Sequence, residues 1–232
     1  MSNLLIVIPA YNEEKNIERV VRELTRRCPQ FDYVIINDGS RDGTAQLCRR
    51  KGYHMVDLPV NLGLDGAFQT GLKYAYEHGY EYAVQFDGDG QHRAEYIQPM
   101  LDKIREGYDI VIASRFLSVK KARSMRMLGS NLIELALRMT TGAVIHDPTS
   151  GMRMFNRDMV REFAHGLNYG PEPDTLSYLI KNGAKVAEVQ VTMDERVAGS
   201  SYLTPVNAAK YMIRMLLSIL LIQNFRRREG KL

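Results

Sequence analysis

The chain has 232 residues, of which 45% are hydrophobic and 25% charged, and its formal net charge is +4 at pH 7. These values are typical of one well-packed globular domain and exclude a disordered or fibrous protein. The small positive charge does not require a nucleic-acid partner, and we expect the two cysteines, Cys28 and Cys48, to be reduced core thiols.

Apolar segments alternate with helical patterns through the first half of the chain. We interpret residues 4–8 as a buried first strand and not as a signal peptide, because Pro9 ends the apolar run. Further strands are predicted over 33–36, 56–58, 82–86 and 110–113, and helices from 17, from 42, over 67–76 and over 96–104. This alternation predicts an α/β fold with a mostly parallel sheet and helices on both faces.

Polar residues follow each predicted strand directly. Ligands of open α/β sheets bind beyond the carboxyl ends of the strands, so polar ends that meet on one rim predict a binding site there. A polar residue in such a place can also be a helix cap, as we expect for Asp42. The polar ends are residues 9–13, 37–40, 61–63, 87–92 and 114–115.

Two carboxylates, Asp87 and Asp89, flank Gly88 directly after the fourth predicted strand. Side chains so placed can turn toward one hard cation and bind it through oxygen. A cation here would stabilise a departing diphosphate. The alternative for a single Asp-Gly-Asp sequence is a polar turn, and its position on the predicted rim favours the metal site.

Five motifs, in order over about two-thirds of the chain, resemble those of the family 2 glycosyltransferases of the GT-A fold. The resemblance is closest to the dolichyl- and polyprenyl-phosphate sugar synthase branch, and it implies a Rossmann-like GT-A domain and an inverting transfer from a nucleotide sugar. The motifs are Pro-Ala-Tyr-Asn-Glu at 9–13, Asn-Asp-Gly-Ser-x-Asp-Gly-Thr at 37–44, Asp-Gly-Asp-Gly-Gln-His at 87–92, Ser-Arg-Phe at 114–116 and Asp-Pro-Thr-Ser-Gly-Met-Arg at 147–153.

The resemblance also implies roles for individual residues on the donor side. Asp87, Asp89 and Gln91 would bind Mg²⁺ or Mn²⁺ beside the diphosphate. The residues implied to hold the nucleotide sugar are Pro9, Tyr11, Glu13, Asp38, Gly63, Asp87, Gly88, Asp89, Arg153 and Arg196. Taken alone, Tyr11 and Glu13 could equally be residues of a helix start. Residues 64–66, Leu-Asp-Gly, depart from the Lys or Arg that usually follows the family's Asn-x-Gly.

A basic segment without acidic residues lies between 110 and 133. In the resembling branch this region binds a lipid phosphate, and arginine grips phosphate bidentately. We therefore predict an acceptor-phosphate site whose residues are Arg115, Arg123, Arg126 and Ser130. The alternative is a solvated loop and helix face.

The acceptor decides whether a general base is needed. A lipid phosphate is already an anion, whereas a sugar hydroxyl needs a carboxylate within hydrogen-bond reach. The candidates are Asp147, Glu172 and Asp174, with Asp89 acting through the metal, and each could instead be structural. The sequence does not choose among them.

The segment 204–228 has one narrow polar stripe at helical spacing, is otherwise largely apolar as far as Phe225, and ends in three arginines. We predict a GT-A domain over 1–203 and, over 204–232, an amphipathic helix with a basic tail that contacts a membrane interface, a partner helix or a second copy. Burial against the protein's own core is the alternative.

Together these features predict a metal-dependent hexosyltransferase that uses a nucleotide sugar, with a UDP-sugar favoured, and a polyprenyl phosphate. It would be cytoplasmic and peripheral at the inner membrane face, with a homo-oligomer and a small membrane-protein partner expected. The alternatives are transfer to a saccharide hydroxyl in cell-surface polysaccharide synthesis and a non-catalytic nucleotide-binding partner of a membrane enzyme. A nucleotidyltransferase would need a glycine-rich basic loop after the first strand, which this sequence does not have.

Overall fold

The computed structural model describes residues 2–119, 121, 125–166, 170–194 and 205–226. For residues 125, 126, 205, 206 and 224 it describes the backbone alone. The site predictions for Arg123 and Arg196, and for the side chain of Arg126, therefore lie outside the described residues.

A seven-stranded sheet forms the centre of the domain, with strand order β3-β2-β1-β4-β6-β5-β7. The strand β6 runs antiparallel to both of its neighbours, and the other pairings are parallel. The strands are β1 Leu4–Ala10, β2 Asp32–Asn37, β3 Met55–Asp57, β4 Tyr82–Gln85, β5 Ile110–Ser114, β6 Arg153–Phe155 and β7 Val186–Gln190.

Helices cover both faces of this sheet. They are α1 Ile17–Arg27, α2 Thr44–Lys51, α3 Gly63–Glu77, α4 Ile97–Ile104, α5 Met125–Thr141, α6 Arg157–His165, α7 Pro173–Lys181 and α8 Pro205–Leu217, and α8 continues into a π-helical turn, Ser218–Ile222, and a last turn, Gln223–Phe225. Alternate residues of β1 explain why its sequence is continuously apolar: Leu4 and Ile6 pack with α1 and α4, whereas Leu5 and Val7 pack with α3.

The predicted α/β fold class is confirmed. The five strands predicted from apolar runs are β1 to β5, and the helix predicted near residue 42 begins at Thr44, whose backbone N–H donates to the Asp42 carboxylate over 3.0 Å. The sequence did not predict β6 or β7.

The C-terminal helix packs against the domain on one side. Met215 and Ile219 are buried in the same apolar core as β1 and α3, whereas Ile213, Leu217 and Leu221 are exposed. In the described part of the chain, the helices are too short or too polar to cross a bilayer. The division of the chain between residues 203 and 204 stays a prediction.

Candidate active site

The loops after β1 and β2 are joined into one unit by short polar side chains. Asn12 has a left-handed backbone with φ of 57°, and its side-chain oxygen accepts from the N–H of Arg41 over 2.8 Å. The N–H of Asn12 donates to Ser40 Oγ, and that of Glu13 to Thr44 Oγ1, each over 2.9 Å. These bonds satisfy backbone groups that would otherwise face solvent, so they hold the rim in one shape.

Asp38 ties the loop after β3 to the same unit. Its carboxylate accepts from the N–H of Leu62 over 2.6 Å, and its backbone oxygen accepts from Asn61 Nδ2 over 3.1 Å. Gly39, the residue after Asp38, has φ of +63°, and a Cβ there would lie 2.6 Å from the backbone nitrogen of Asn61. Only glycine allows this close approach. Gly63, predicted beneath the donor, begins α3 and donates to Asn61 Oδ1 over 3.1 Å.

The three other predicted nucleoside contacts lie on this rim. Pro9 is buried in β1, and Tyr11 just beyond it is 39% exposed. Glu13 accepts from Asn16 Nδ2 over 2.7 Å, which holds its side chain back along the start of α1. An aromatic ring and a carboxylate at the open edge of the sheet can respectively stack on a base and accept hydrogen bonds.

The predicted metal loop follows β4, and His92 fixes the backbone of its first aspartate, Asp87. The N–H of Asp87 donates to His92 Nδ1 over 3.0 Å, and His92 is buried edge-on against Phe86. Because Nδ1 accepts, a neutral His92 carries its proton on Nε2, which lies 3.7 Å from Asp87 Oδ2. Gln85 donates to the other oxygen of Asp87 over 2.9 Å.

The second carboxylate, Asp89, lies deeper in the same loop. It is buried, and its Oδ1 accepts from the N–H of Gln91 over 3.0 Å. Arg19 of α1 approaches the backbone oxygens of Asp89 and Gly90 at 3.4 Å. A Cβ on Gly88 would lie 3.0 Å from the backbone oxygen of Pro9, so a larger residue between the two aspartates would press on β1.

Gln91, the third predicted ligand, also connects the metal loop to the segment after β7. Its side-chain amide donates to the backbone oxygen of Asp194 over 3.4 Å, and the N–H of Asp194 donates to the backbone oxygen of Gln91 over 2.9 Å. Arg93 forms an ion pair with Asp194 at 2.6 Å. Asp194, the last described residue of this segment, therefore lies beside the predicted metal loop.

The carboxylates of Asp87 and Asp89 suit a divalent cation that also binds a substrate. Within the described residues, no three His, Cys, Asp or Glu side chains form a complete protein cage. Magnesium is often held by one or two carboxylates together with substrate phosphates and water. Space beside Asp87 depends on Gly151, where a Cβ would lie 2.7 Å from Asp87 Oδ2. The two aspartates thus fit a cation whose remaining ligands come from a diphosphate.

Directly after β5, Arg115 forms an ion pair with Asp147. The Nε and Nη2 atoms of Arg115 donate to the two Asp147 oxygens over 2.6 and 2.8 Å, and the backbone N–H of Arg115 donates over 3.0 Å. Asp147 is 0% exposed. Both oxygens of this candidate base are therefore engaged by a cation, which is the arrangement of a positioning residue and not of a proton acceptor.

Glu188 of β7 fixes Asp147 from behind. Its two carboxylate oxygens accept from the backbone N–H groups of His146 and Asp147 over 2.9 and 2.8 Å, and it also contacts His146 Nδ1 at 2.7 Å. Glu188 was not among the residues predicted from the sequence. The one available signal was an acidic residue in the otherwise apolar alternation of residues 186–189.

A second cation, Lys121, contacts the same Phe116 ring as Arg115, at 5.5 and 5.1 Å from the ring centroid respectively. Its Nζ donates to Ser130 Oγ over 3.2 Å and to Glu134 over 2.7 Å. Ser130 is buried on the inner side of α5. The structure therefore brings the predicted phosphate residues Arg115 and Ser130 into one partly buried basic region.

Arg153 is buried and holds the loop that carries Asp147. It donates to the backbone oxygens of Pro148 and Ser150 over 2.7 and 3.0 Å, and to that of Glu172 over 3.4 Å. Burial lowers the pKa of Arg153, and the nearby Glu172 carboxylate opposes this effect. Arg153 was predicted to contact the nucleotide sugar, and in the described part of the chain its guanidinium donates to protein backbone carbonyls.

The remaining candidate bases contact the C-terminal helix. Tyr211 donates a short hydrogen bond to Glu172, and Ser218 Oγ donates to Asp174 over 2.6 Å. Burial raises the pKa of Glu172. The sequence did not predict this connection, because the two segments are separated by 39 and 44 residues.

A mostly parallel sheet with one antiparallel strand, and an Asp-Gly-Asp loop after β4, is the architecture of a GT-A glycosyltransferase. The fold is similar to the crystal structure of glucosyl-3-phosphoglycerate synthase from Mycobacterium tuberculosis in complex with Mn²⁺, UDP and phosphoglyceric acid, with a TM-score of 0.66 and 20% sequence identity. That likeness covers 98% of this chain and 80% of that chain.

Residues 5–163 match the model of Glycosyl transferase family 2, and the chain belongs to this family. It is 29% identical to the polyprenol monophosphomannose synthase of Mycolicibacterium smegmatis, over 91% of this chain and 84% of that protein. It is 28% identical to the undecaprenyl-phosphate mannosyltransferase of Micrococcus luteus, over 85% and 86%, and 30% identical to the UDP-N-acetylglucosamine–dolichyl-phosphate N-acetylglucosaminyltransferase of Methanococcus voltae, over 81% and 84%. The predicted resemblance is confirmed, and the protein is a glycosyltransferase.

Proposed function

We propose that this enzyme transfers a hexose from a nucleotide-diphosphate sugar, a UDP-sugar in the first instance, to a polyprenyl phosphate at the cytoplasmic face of the membrane. The observation that carries the proposal is the fixed cation Arg115, held by buried Asp147 and flanked by Lys121. The similar proteins named above support it, since their names specify polyprenol, undecaprenyl phosphate and dolichyl phosphate.

On the donor side, the joined loops after β1, β2 and β3 would hold the nucleoside. Tyr11 offers its exposed ring to the base, and Asp38 and Glu13 offer carboxylate oxygens. Asp87 and Asp89, with Gln91, would hold Mg²⁺ or Mn²⁺, which when bound neutralises charge on the departing diphosphate. Arg196 stays a proposed diphosphate contact.

On the acceptor side, Arg115 would orient the lipid phosphate. Asp147 accepts from the Nε and Nη2 atoms of the guanidinium, and Thr149 Oγ1 accepts from Nη2 over 3.4 Å. The phosphate would therefore bind through Nη1. Lys121 and Ser130 would add a second charge and a hydroxyl donor, and Arg123 and Arg126 stay proposed contacts of the same phosphate.

The chemical step needs no proton acceptor. An oxygen of the lipid phosphate attacks the anomeric carbon, the bond from that carbon to the diphosphate oxygen breaks, and the nucleoside diphosphate leaves with the electron pair. Glu172 and Asp174 then serve to attach α8, consistent with their bonds to Tyr211 and Ser218. Inversion at the anomeric carbon is expected from a single displacement.

A saccharide hydroxyl is the second candidate acceptor. It is favoured by one observation: burial raises the pKa of Glu172, as is expected of a carboxylate that acts as general base near neutral pH. In that case Glu172 would release Tyr211 when the acceptor binds.

Transfer of radiolabelled sugar from a panel of UDP- and GDP-sugars tests the proposal, with undecaprenyl phosphate or a saccharide as acceptor. We expect one donor to label the lipid with Mg²⁺ or Mn²⁺, and EDTA to abolish the label. Labelled saccharide without labelled lipid would overturn the phosphate acceptor. Nucleotide binding without transfer to either acceptor would instead support a non-catalytic partner, or an enzyme that needs a small membrane protein or its homo-oligomer.

A further inference from the structure

Two neighbouring helices each expose a stripe of large apolar side chains. The spacing of three and four residues puts the members of each stripe on one side of its helix. Large exposed apolar patches are uncommon on soluble proteins and mark contact surfaces. The exposed residues are Leu128, Leu132, Leu135 and Met139 on α5, and Ile213, Leu217, Leu220, Leu221 and Phe225 on α8 and the turns that follow it.

The two stripes adjoin. The helices α5 and α8 touch at Gly129, where a Cβ would lie 2.7 Å from Met212 Cε. On α5, Leu132 is three residues from Gly129. On the C-terminal helix, the partly buried Leu216 is four residues from Met212, and the exposed Leu220 is four residues further on. Residues so spaced are neighbours on a helix surface. Each stripe thus borders the contact between the helices, and together they form a single surface, here named the α5–α8 face.

The charges beside this face are positive. Residues 205–228 contain no Asp or Glu and five basic residues, of which Lys210 and Arg214 are exposed next to the stripe. Arg138 is exposed on α5, and Glu134, the single acid of that helix, is paired with Lys121. A symmetric contact between two copies would bring these cations together, whereas anionic lipid headgroups attract them.

We propose that the α5–α8 face lies on an anionic bilayer surface, with both helices parallel to the membrane. The inference rests on the proposed function for its lipid acceptor. Ser130 and Lys121 lie at the inner side of α5, so docking would bring the acceptor-phosphate region to within about one helix diameter, roughly 10 Å, of the apolar face. Tyr211 on α8 and Ser218 in the turn that follows it would link the docked helix to Glu172 and Asp174.

Sedimentation of the full chain with phosphatidylcholine–phosphatidylglycerol vesicles tests the docking. We expect the wild type to bind, and Leu135→Gln/Leu221→Gln to bind at least about tenfold more weakly, because two large apolar side chains no longer enter the lipid. The control Val60→Gln/Leu64→Gln changes equally exposed residues outside the face and should bind as the wild type does. Equal binding by the first variant, or no binding by the wild type, would overturn the inference.

Labelling distinguishes the bilayer from a second copy. Cys28 and Cys48 are buried, so an environment-sensitive dye can be placed at Leu135→Cys or Leu221→Cys, with exposed Gln98→Cys on α4 as control. We expect a blue shift on vesicle addition at the first two positions alone. A dimer in vesicle-free solution that Leu135→Gln/Leu221→Gln dissociates would assign the face to a second copy and overturn the bilayer assignment.

These vesicles contain no polyprenyl phosphate and the assay needs no donor, so its outcome does not depend on the proposed reaction. Vesicle binding without transfer to any lipid phosphate would support docking and contradict the proposed function. If the protein transfers sugar to a lipid phosphate in detergent but does not bind vesicles, the proposed function is supported and the docking is contradicted.

Discussion

The proposed donor rim, formed by the loops after β1, β2, β3 and β4, and the proposed acceptor rim, formed by Arg115, Lys121, Ser130 and Asp147, are built in different ways. On the donor rim, short polar side chains such as Asn12, Asp38 and Asp42 bond to backbone N–H groups of adjacent loops. On the acceptor rim, long charged side chains form buried pairs between distant segments, as Arg115 does with Asp147.

This difference has energetic consequences. Hydrogen bonds of short side chains to backbone amides fix a loop at small entropic cost, so the donor rim is formed before a nucleotide arrives. A buried ion pair depends on both of its partners, because removal of one leaves the other charged and desolvated. We therefore expect changes on the donor rim to affect chemistry more than stability, and changes in the acceptor-rim network to affect both.

The largest effect is expected from Asp87→Asn or Asp89→Asn. Each removes a carboxylate that would hold the cation, and we expect the transfer rate to fall on the order of 10³-fold while the thermal unfolding temperature stays close to wild type. The control is Asp102→Asn on the exposed side of α4, which should leave the rate unchanged. A loss of rate that follows unfolding of the variants would contradict the metal role.

Asp147→Asn should affect stability and acceptor binding together. The variant leaves Arg115 without its anionic partner, and we expect the free energy of unfolding to fall by about 3–5 kcal/mol. The KM for the lipid phosphate should rise, and the affinity for the nucleotide should not change. Chemical denaturation and initial-rate kinetics measure these effects.

Asp158→Asn is the matched control, because it removes a surface ion pair with Arg161, from which we expect little change in stability. An unchanged acceptor KM in Asp147→Asn would show that Arg115 does not bind the phosphate.

Tyr211→Phe tests the connection between the acceptor rim and α8. The variant removes one buried hydrogen bond to Glu172, and we expect a loss of about 1–2 kcal/mol in unfolding free energy. If α8 transmits membrane docking to the site, the variant should bind vesicles normally and lose part of the stimulation of transfer by vesicles. If vesicles stimulate sugar transfer by Tyr211→Phe as fully as by the wild type, α8 does not transmit membrane docking to the site.

The smallest effect concerns pH. Burial raises the pKa of Glu172 above its usual value of 4.5, so the folded state binds this proton more tightly than the unfolded chain does. The associated stabilisation is complete below the unfolded pKa and is lost as pH rises through the folded pKa. Glu172→Gln cannot ionise, so its unfolding temperature relative to wild type should increase between pH 4.5 and pH 8. Exposed Glu81→Gln should show no such trend, and an equal difference at both pH values would contradict the raised pKa.

The sequence predicted the strands and helix starts around the loops after β1, β2 and β4 because the signals for these elements are local, whereas the roles of the loop residues stay predictions. The strand β1 and the predicted metal loop are each visible in a short window. A helix does begin close to Asp42, but its N-cap is Gly43 and not Asp42. The pairing of Asp147 with Glu188 joins residues 41 apart, and no local pattern encodes such a contact. The bonds from Tyr211 and Ser218 to Glu172 and Asp174 were not predicted for the same reason. The apolar stripe of α5 was not predicted either, because it overlaps the basic segment, which was interpreted by its charge alone.

The proposed acceptor is a phosphate held by the acceptor rim, and a pair of lipids that differ in that phosphate provides the sharpest test. The initial rate of sugar transfer is measured with undecaprenyl phosphate and with undecaprenol, which differs from it only by the missing phosphate. We predict rapid transfer to the phosphate, none to the alcohol, and activity within about threefold of wild type for Glu172→Gln, since no general base is required. Transfer to undecaprenol, lost in Glu172→Gln, would contradict the claim.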